Sequence, residues 1–188
     1  MGADALGFIF VPDTPRYVGN YAEIEPLLAE LPPFVTRVGV CKEPGQVGEQ
    51  YYRNLDILQV YEHDFCSAYS ESGLPLIPAF RVRTSLDLDA VGEVLSRSKP
   101  RAVLLDAYHE QQLGGAGIQF DWNLAVEAAN RYHPRLILAG GLNDSNVIQA
   151  IRQTAPYAVD VASGVEAAPG RKDHEKMRRF INAVRSVG

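Results

Sequence analysis

Leu136-Ile137-Leu138-Ala139-Gly140-Gly141, then a helical stretch from Asn143 to Ile151, then Ala158-Val159-Asp160-Val161, is the passage whose reading decides the fold. Both apolar runs are short and nearly continuous. A strand with one wet face would alternate apolar and polar residues, so continuous runs predict burial on both faces, as in parallel sheets covered by helices. Glycines stop the first run, and Ser163-Gly164 follows the second. Strand, helix and strand in that order form one βαβ unit.

The same unit recurs upstream. Apolar runs at residues 5–11, 35–41, 56–61, 76–82 and 102–107 read as five further strands. Helices are read at 24–31, 47–54, 65–70, 86–95, 122–131 and, downstream, 173–184, with Asp121 and Asp173 as N-caps for the helices that follow them. Seven strand–helix units result, with no long linker, so a single domain over residues 1–188 is expected. Repeated βα units predict an α/β fold, either a barrel or a doubly wound sheet. A closed TIM barrel needs eight units. Seven therefore leaves open an open sheet, a missed element, or a (β/α)8-type barrel lacking one unit.

Composition narrows the partners. Hydrophobic residues make up 46% of the chain, enough for a real core, and the net charge is -5 with no basic block. Nucleic acid is not an expected partner, since releasing counterions from phosphates needs concentrated positive charge. No apolar run approaches the roughly 20 residues of a membrane helix, and the N-terminus lacks the pattern of a signal peptide. Cys41 and Cys66 form no CxxC pair, and His63, His109, His133 and His174 lack ligand spacing, so no zinc, redox or other metal motif is read. A cytoplasmic protein is expected from these features, and oligomeric state is not legible.

In parallel α/β folds chemistry sits beyond the C-terminal ends of the strands. Asp106, closing Val103-Leu104-Leu105, either faces a cavity and exchanges a proton or organises the next loop. Gly114-Gly115-Ala116-Gly117 either brings backbone N–H groups to a ligand or is a plain surface loop; it is neither a Walker loop nor GxGxxG. Gly140, Gly141, Ser163 and Gly164 follow the last two strands, where barrels often bind phosphate through backbone N–H groups; ordinary turns are the alternative. Arg16, after the first strand, has the forked geometry that matches a carboxylate, although an isolated arginine is commonly a surface residue.

Several of these blocks resemble one family, the phosphoribosylanthranilate isomerases. Residues 2–8 (GADALGF) with Pro15-Arg16-Tyr17-Val18 are similar to that family's second strand and loop. Leu104-Leu105-Asp106-Ala107 and GGAGIQFDW (residues 114–122) are similar to its sixth strand and mobile loop. Leu138-Ala139-Gly140-Gly141-Leu142 and residues 159–166 (VDVASGVE), with Pro169-Gly170 and Lys172-Asp173, are similar to its seventh and eighth strands and last helix. The resemblance implies a TIM (β/α)8-type barrel lacking the first βα unit. It implies an Amadori rearrangement of a small-molecule phosphosugar, N-(5-phosphoribosyl)anthranilate, in tryptophan biosynthesis, with no metal or organic cofactor. Asp106 would be the general acid, Arg16 would hold the anthranilate carboxylate, and backbone around Gly140, Gly141, Ser163 and Gly164 would hold the phosphate.

The sequence also departs from that pattern. The family's Lys-Ile-Cys-Gly strand, which carries the general base, has no match in these 188 residues. Its Gln-Leu-His-Gly is replaced by Gln59-Val60-Tyr61-Glu62. Three expectations follow: the recorded start falls late and this stretch alone turns over at a small fraction of a full-length enzyme, the chain is a real fragment that folds poorly, or the fold persists as a non-catalytic phosphosugar-binding protein. Cys41, near a strand end, is read as a buried structural residue rather than a replacement base.

Overall fold

The computed structural model describes residues 2–61, 65, 73–107 and 121–187. Cys66, His63, His109, the Gly114–Gly117 loop and most of the helix expected at 65–70 lie outside the described residues. Residues 2–79 and 80–188 form two compact units.

In the first unit β1 (Ala5–Ile9), β2 (Thr36–Cys41), β3 (Ile57–Val60) and the start of β4 (Leu76–Val82) pair in parallel, each beside its successor in the chain. Phe8 lies opposite Gly39, Gly39 opposite Leu58, and Leu58 opposite Leu76. Gly39 leaves room there for two leucine side chains. A Cβ on it would come within 2.8 Å of both Leu55 Cδ1 and Leu58 Cδ2. Helix α1 (Tyr21–Ala29) begins three residues before the sequence pattern indicates, because Asn20 accepts the Ala22 N–H (3.1 Å) and caps it. Only a short helix, α2 (Glu49–Tyr52), forms within the 47–54 stretch. Phe10 and Tyr51 meet edge to face at 4.6 Å, and Tyr21 meets Tyr51 at 5.0 Å, an arrangement that adds to their burial. Asp56 receives the Arg37 backbone N–H (2.8 Å) and its guanidinium at Nε (3.0 Å) and Nη2 (2.8 Å), pinning β2 to the residue before β3.

In the second unit β5 (Val103–Ala107), β6 (Leu136–Leu138) and β7 (Ala158–Val159) pair in parallel. Leu104, Leu105 and Leu138 are fully buried, each contributing about 1.5–3 kcal/mol of transfer free energy. Asp87 accepts the Arg83 and Thr84 N–H groups (2.8 and 2.9 Å), closing a 3₁₀ turn (Ser85–Asp87) that leads into α3 (Leu88–Ser98). Asp121 and Asp173 cap α4 (Trp122–Tyr132) and α6 (His174–Arg185), as the sequence indicates. Helix α5 (Val147–Thr154) begins four residues later than the Asn143 start of the pattern, because residues 143–146 form a turn held by asparagine side chains. Helices α3, α4 and α5 end on left-handed Lys99, His133 and Ala155. For a residue with a Cβ that conformation costs roughly 1–2 kcal/mol. A small hairpin, β8 (Glu166–Ala168) with β9 (Arg171–Lys172), precedes α6.

Candidate active site

The second unit brings five of the six sequence-derived site residues to one end of its strands. Leu105, Leu138 and Val159 are register partners across β5, β6 and β7. The ladder continues one residue further, with Ala139 N–H donating to Leu105 O (2.9 Å) and Asp160 N–H to Leu138 O (2.8 Å). Asp106, Ala139 and Asp160 therefore form the next row. Side chains alternate along a strand, so these three share the face opposite Leu105, Leu138 and Val159.

Beyond that row the backbone turns sharply. Gly140 and Gly141 have φ of +87° and +68°, a conformation that glycine adopts without a Cβ clash. Gly141 O accepts from Asn146 Nδ2 (3.0 Å) and Asn143 Nδ2 (3.4 Å), while Asn143 N–H donates to Asn146 Oδ1 (2.8 Å). After β7, Ser163–Val165 forms one turn of 3₁₀ helix. Its Gly164 lies directly against the preceding loop: a Cβ there would sit 1.8 Å from Leu142 O. The loops after β6 and β7 are thus pressed together backbone to backbone, and their glycines serve that approach.

The hairpin braces the second loop. Lys172 Nζ donates to Ala162 O (2.8 Å) and lies 3.3 Å from Glu166 Oε1, a side chain that is almost wholly buried. Lys176 Nζ donates to Glu166 O (2.8 Å), and Asp173 N–H donates to Val165 O (2.9 Å). Arg179 on α6 pairs with Asp144 in the first loop. Two cations and a helix cap thereby fix the 162–166 backbone.

Asp106 is half-buried. Asp160 has its carboxyl pushed up to about 6, first by desolvation and then by the nearby charge of Asp106; Lys172 and the Val161 N–H act the other way. Asp160 is exposed to solvent, so screening tempers the desolvation. Sequence reading assigned Asp160 no role, because an acidic residue inside an apolar run gives no sign of its neighbour two strands away. The hairpin was likewise invisible, its strands being three and two residues long.

Arg16 belongs to the first unit. It is half-buried in a turn after β1, where Tyr17 bridges to Ile9 and Val18 N–H donates to Ile9 O (2.9 Å). Cys41 is wholly buried at the end of β2, its sulfur 3.8 Å from Gln59 O. Burial, with the charge of Glu43 adding, pushes its thiol up to about 12. It stays a neutral thiol at physiological pH and is no proton acceptor. Tyr61, in place of the histidine, accepts from Gln59 Nε2 (3.2 Å). No helix of the described residues is long and apolar enough to cross a membrane.

Parallel βα units with an acid and small-residue loops at the strand C-termini define the class, an α/β protein of TIM-barrel type. A family profile described as N-(5'phosphoribosyl)anthranilate (PRA) isomerase matches residues 1–183. An N-(5'-phosphoribosyl)anthranilate isomerase of Trichlorobacter lovleyi is 43% identical over 192 residues, covering 99% of this chain and 89% of the relative. The crystal structure of phosphoribosyl anthranilate isomerase from Thermotoga maritima is similar with a TM-score of 0.83 at 34% identity, covering 98% of this chain and 89% of that one. A further phosphoribosyl anthranilate isomerase structure, in complex with reduced 1-(o-carboxyphenylamino)-1-deoxyribulose 5-phosphate, has a TM-score of 0.80 at 34% identity and the same coverage. The chain belongs to the phosphoribosylanthranilate isomerase family.

Proposed function

We propose that the residues gathered beyond β5, β6 and β7 are the acid and phosphate parts of a phosphoribosylanthranilate isomerase site. The isomerase activity, in tryptophan biosynthesis, follows from family membership. The observation that supports the residue assignment is the single rim formed by Asp106, Gly140–Gly141 and Ser163–Gly164, with Gly164 seated on the Leu142 carbonyl.

Asp106, carrying a proton, donates it to the ribose ring oxygen. The bond from that oxygen to C1 breaks, its electron pair staying on oxygen as a hydroxyl, while the anilino nitrogen lone pair forms the C=N bond of the Schiff base. Removal of the C2 proton then gives an enolamine, which becomes the ketone. A carboxylic acid does this work at neutral pH only if its surroundings hold its proton on. The amides around Gly140, Gly141, Ser163 and Gly164 bind the phosphate, the preorganised backbone supplying donors without a cationic side chain. Arg16 holds the anthranilate carboxylate through its paired donors. The base that takes the C2 proton is not assigned within these 188 residues, since Cys41 is sealed and neutral.

The test is calorimetric titration of the chain with reduced 1-(o-carboxyphenylamino)-1-deoxyribulose 5-phosphate, alongside complementation of a strain lacking the isomerase by the gene. Binding that D106N leaves near wild type, but that G164A and R16A each weaken at least tenfold, supports the assignment. Binding indifferent to both G164A and R16A refutes it.

A further inference from the structure

We propose that Asp160 is paired with Asp106 across Ala139 and that the two carboxyl groups share one proton, making Asp160 a positioning residue for the acid step. The inference rests on the reading of Asp106 as the acid, and deepens it by naming what keeps the proton there.

The register places the two carboxyls. Asp106 and Asp160 stand in one row on one face, separated by a single strand. Parallel strands lie about 4.8 Å apart, so the two backbones are about 10 Å apart across β6. The residue between them is Ala139, nearly fully buried, whose methyl is the smallest side chain that fills the row. Both aspartates can lean over it toward each other. A leucine there would stand between them.

Two carboxylates brought together cannot both ionise as readily as one alone, even where one of them, Asp160, is exposed. The charge of Asp106 reaches Asp160 and opposes its ionisation, and by reciprocity Asp160 acts on Asp106. Among the described residues the other charge whose field reaches Asp160 is Lys172. That ammonium is already committed to Ala162 O and to the buried Glu166 carboxylate, so it offsets the repulsion only in part. The pair then holds one proton to higher pH than either carboxyl would alone. When Asp106 delivers the proton to the ring oxygen, two anions face each other, and retaking a proton later in the cycle relieves that repulsion.

The test is ¹³C NMR titration of the aspartate carboxyls in the unliganded chain and in D106N, D160N and D160E. In D106N the midpoint of Asp160 is expected to fall toward the ordinary aspartate value of about 3.9, by about 0.5 unit or more; in D160N that of Asp106 falls likewise. D160E, which keeps the charge, restores the Asp106 midpoint; a purely structural Asp160 would show no such rescue. Midpoints that stay within about 0.2 unit in both Asn variants overturn the pairing. Under turnover, D160N moves the alkaline limb of kcat to lower pH with little change in KM. The titration needs no substrate, so its failure is separable from failure of the isomerase site, which shows instead as loss of response to the product analogue.

Discussion

Replacing Gly164 by alanine is the sharpest probe of the rim. The added Cβ would lie 1.8 Å from Leu142 O, 2.9 Å from Leu142 C and 3.1 Å from Asn143 Cβ. A carbon and a carbonyl oxygen ordinarily approach no closer than about 3.3 Å. One loop must therefore retreat by roughly 1.5 Å. The obstructing atoms are backbone, and that backbone is tied down by Asn146 on Gly141 O and by Lys172 on Ala162 O, so no side-chain rotation relieves the clash. Overpacking of this kind costs about 1–3 kcal/mol, and the upper half of that range applies when main chain must move. Displacement of about 1 Å at a binding constellation costs on the order of 100-fold. G164A should unfold at lower urea by about 2–3 kcal/mol and bind the reduced product analogue about 100-fold more weakly. G141A, which puts a methyl at φ +68°, should cost roughly 1–2 kcal/mol in the same urea curves. A G164A variant with wild-type urea midpoint and wild-type affinity refutes both the close approach and its role in holding phosphate.

Four further outcomes are expected. R16K leaves kcat nearly intact but raises KM about tenfold, because a point charge replaces a paired fork; steady-state kinetics decides it. D56N loses about 0.5–1 kcal/mol at pH 7, the partners being about one-third exposed and screened. The Arg37 guanidinium holds Asp56 below its ordinary value, so this stabilisation is present above about pH 4 and is lost as pH falls through the folded-state value; urea curves of wild type and D56N converge in acid. A155G stabilises by about 1 kcal/mol, since Ala155 ends α5 at φ +42°, read from the same denaturation curves. Cys41 in native protein resists iodoacetamide and reacts on unfolding, as peptide mass spectrometry would show; rapid native labelling contradicts its burial.

The strands were legible because parallel sheets buried on both faces leave an unmistakable apolar run, and the caps Asp121 and Asp173 were legible because capping is local chemistry. Helix starts were less so. Asn20 and Asn146 both precede helices, yet one caps directly and the other first closes a turn onto Asn143 and Gly141. Asp106, Gly140, Gly141, Ser163 and Gly164 could be named in advance, since polar and small residues at strand ends stand out against their runs. What the sequence concealed was register. That Asp160 shares a row with Asp106, and that Gly164 abuts Leu142, depends on three strands being aligned side by side, information that no single segment carries.

The braced backbone beyond β6 and β7 separates two kinds of acidity. Donors that are peptide amides never titrate, so the grip proposed for the phosphate is indifferent to pH except through the ligand's own second ionisation. In the proposed site the proton chemistry is left to the Asp106 and Asp160 carboxyls. Affinity and turnover should then answer to different pH ranges, and under the proposed assignment changes at Asp106 or Asp160 alter rate without loosening the hold on the sugar phosphate.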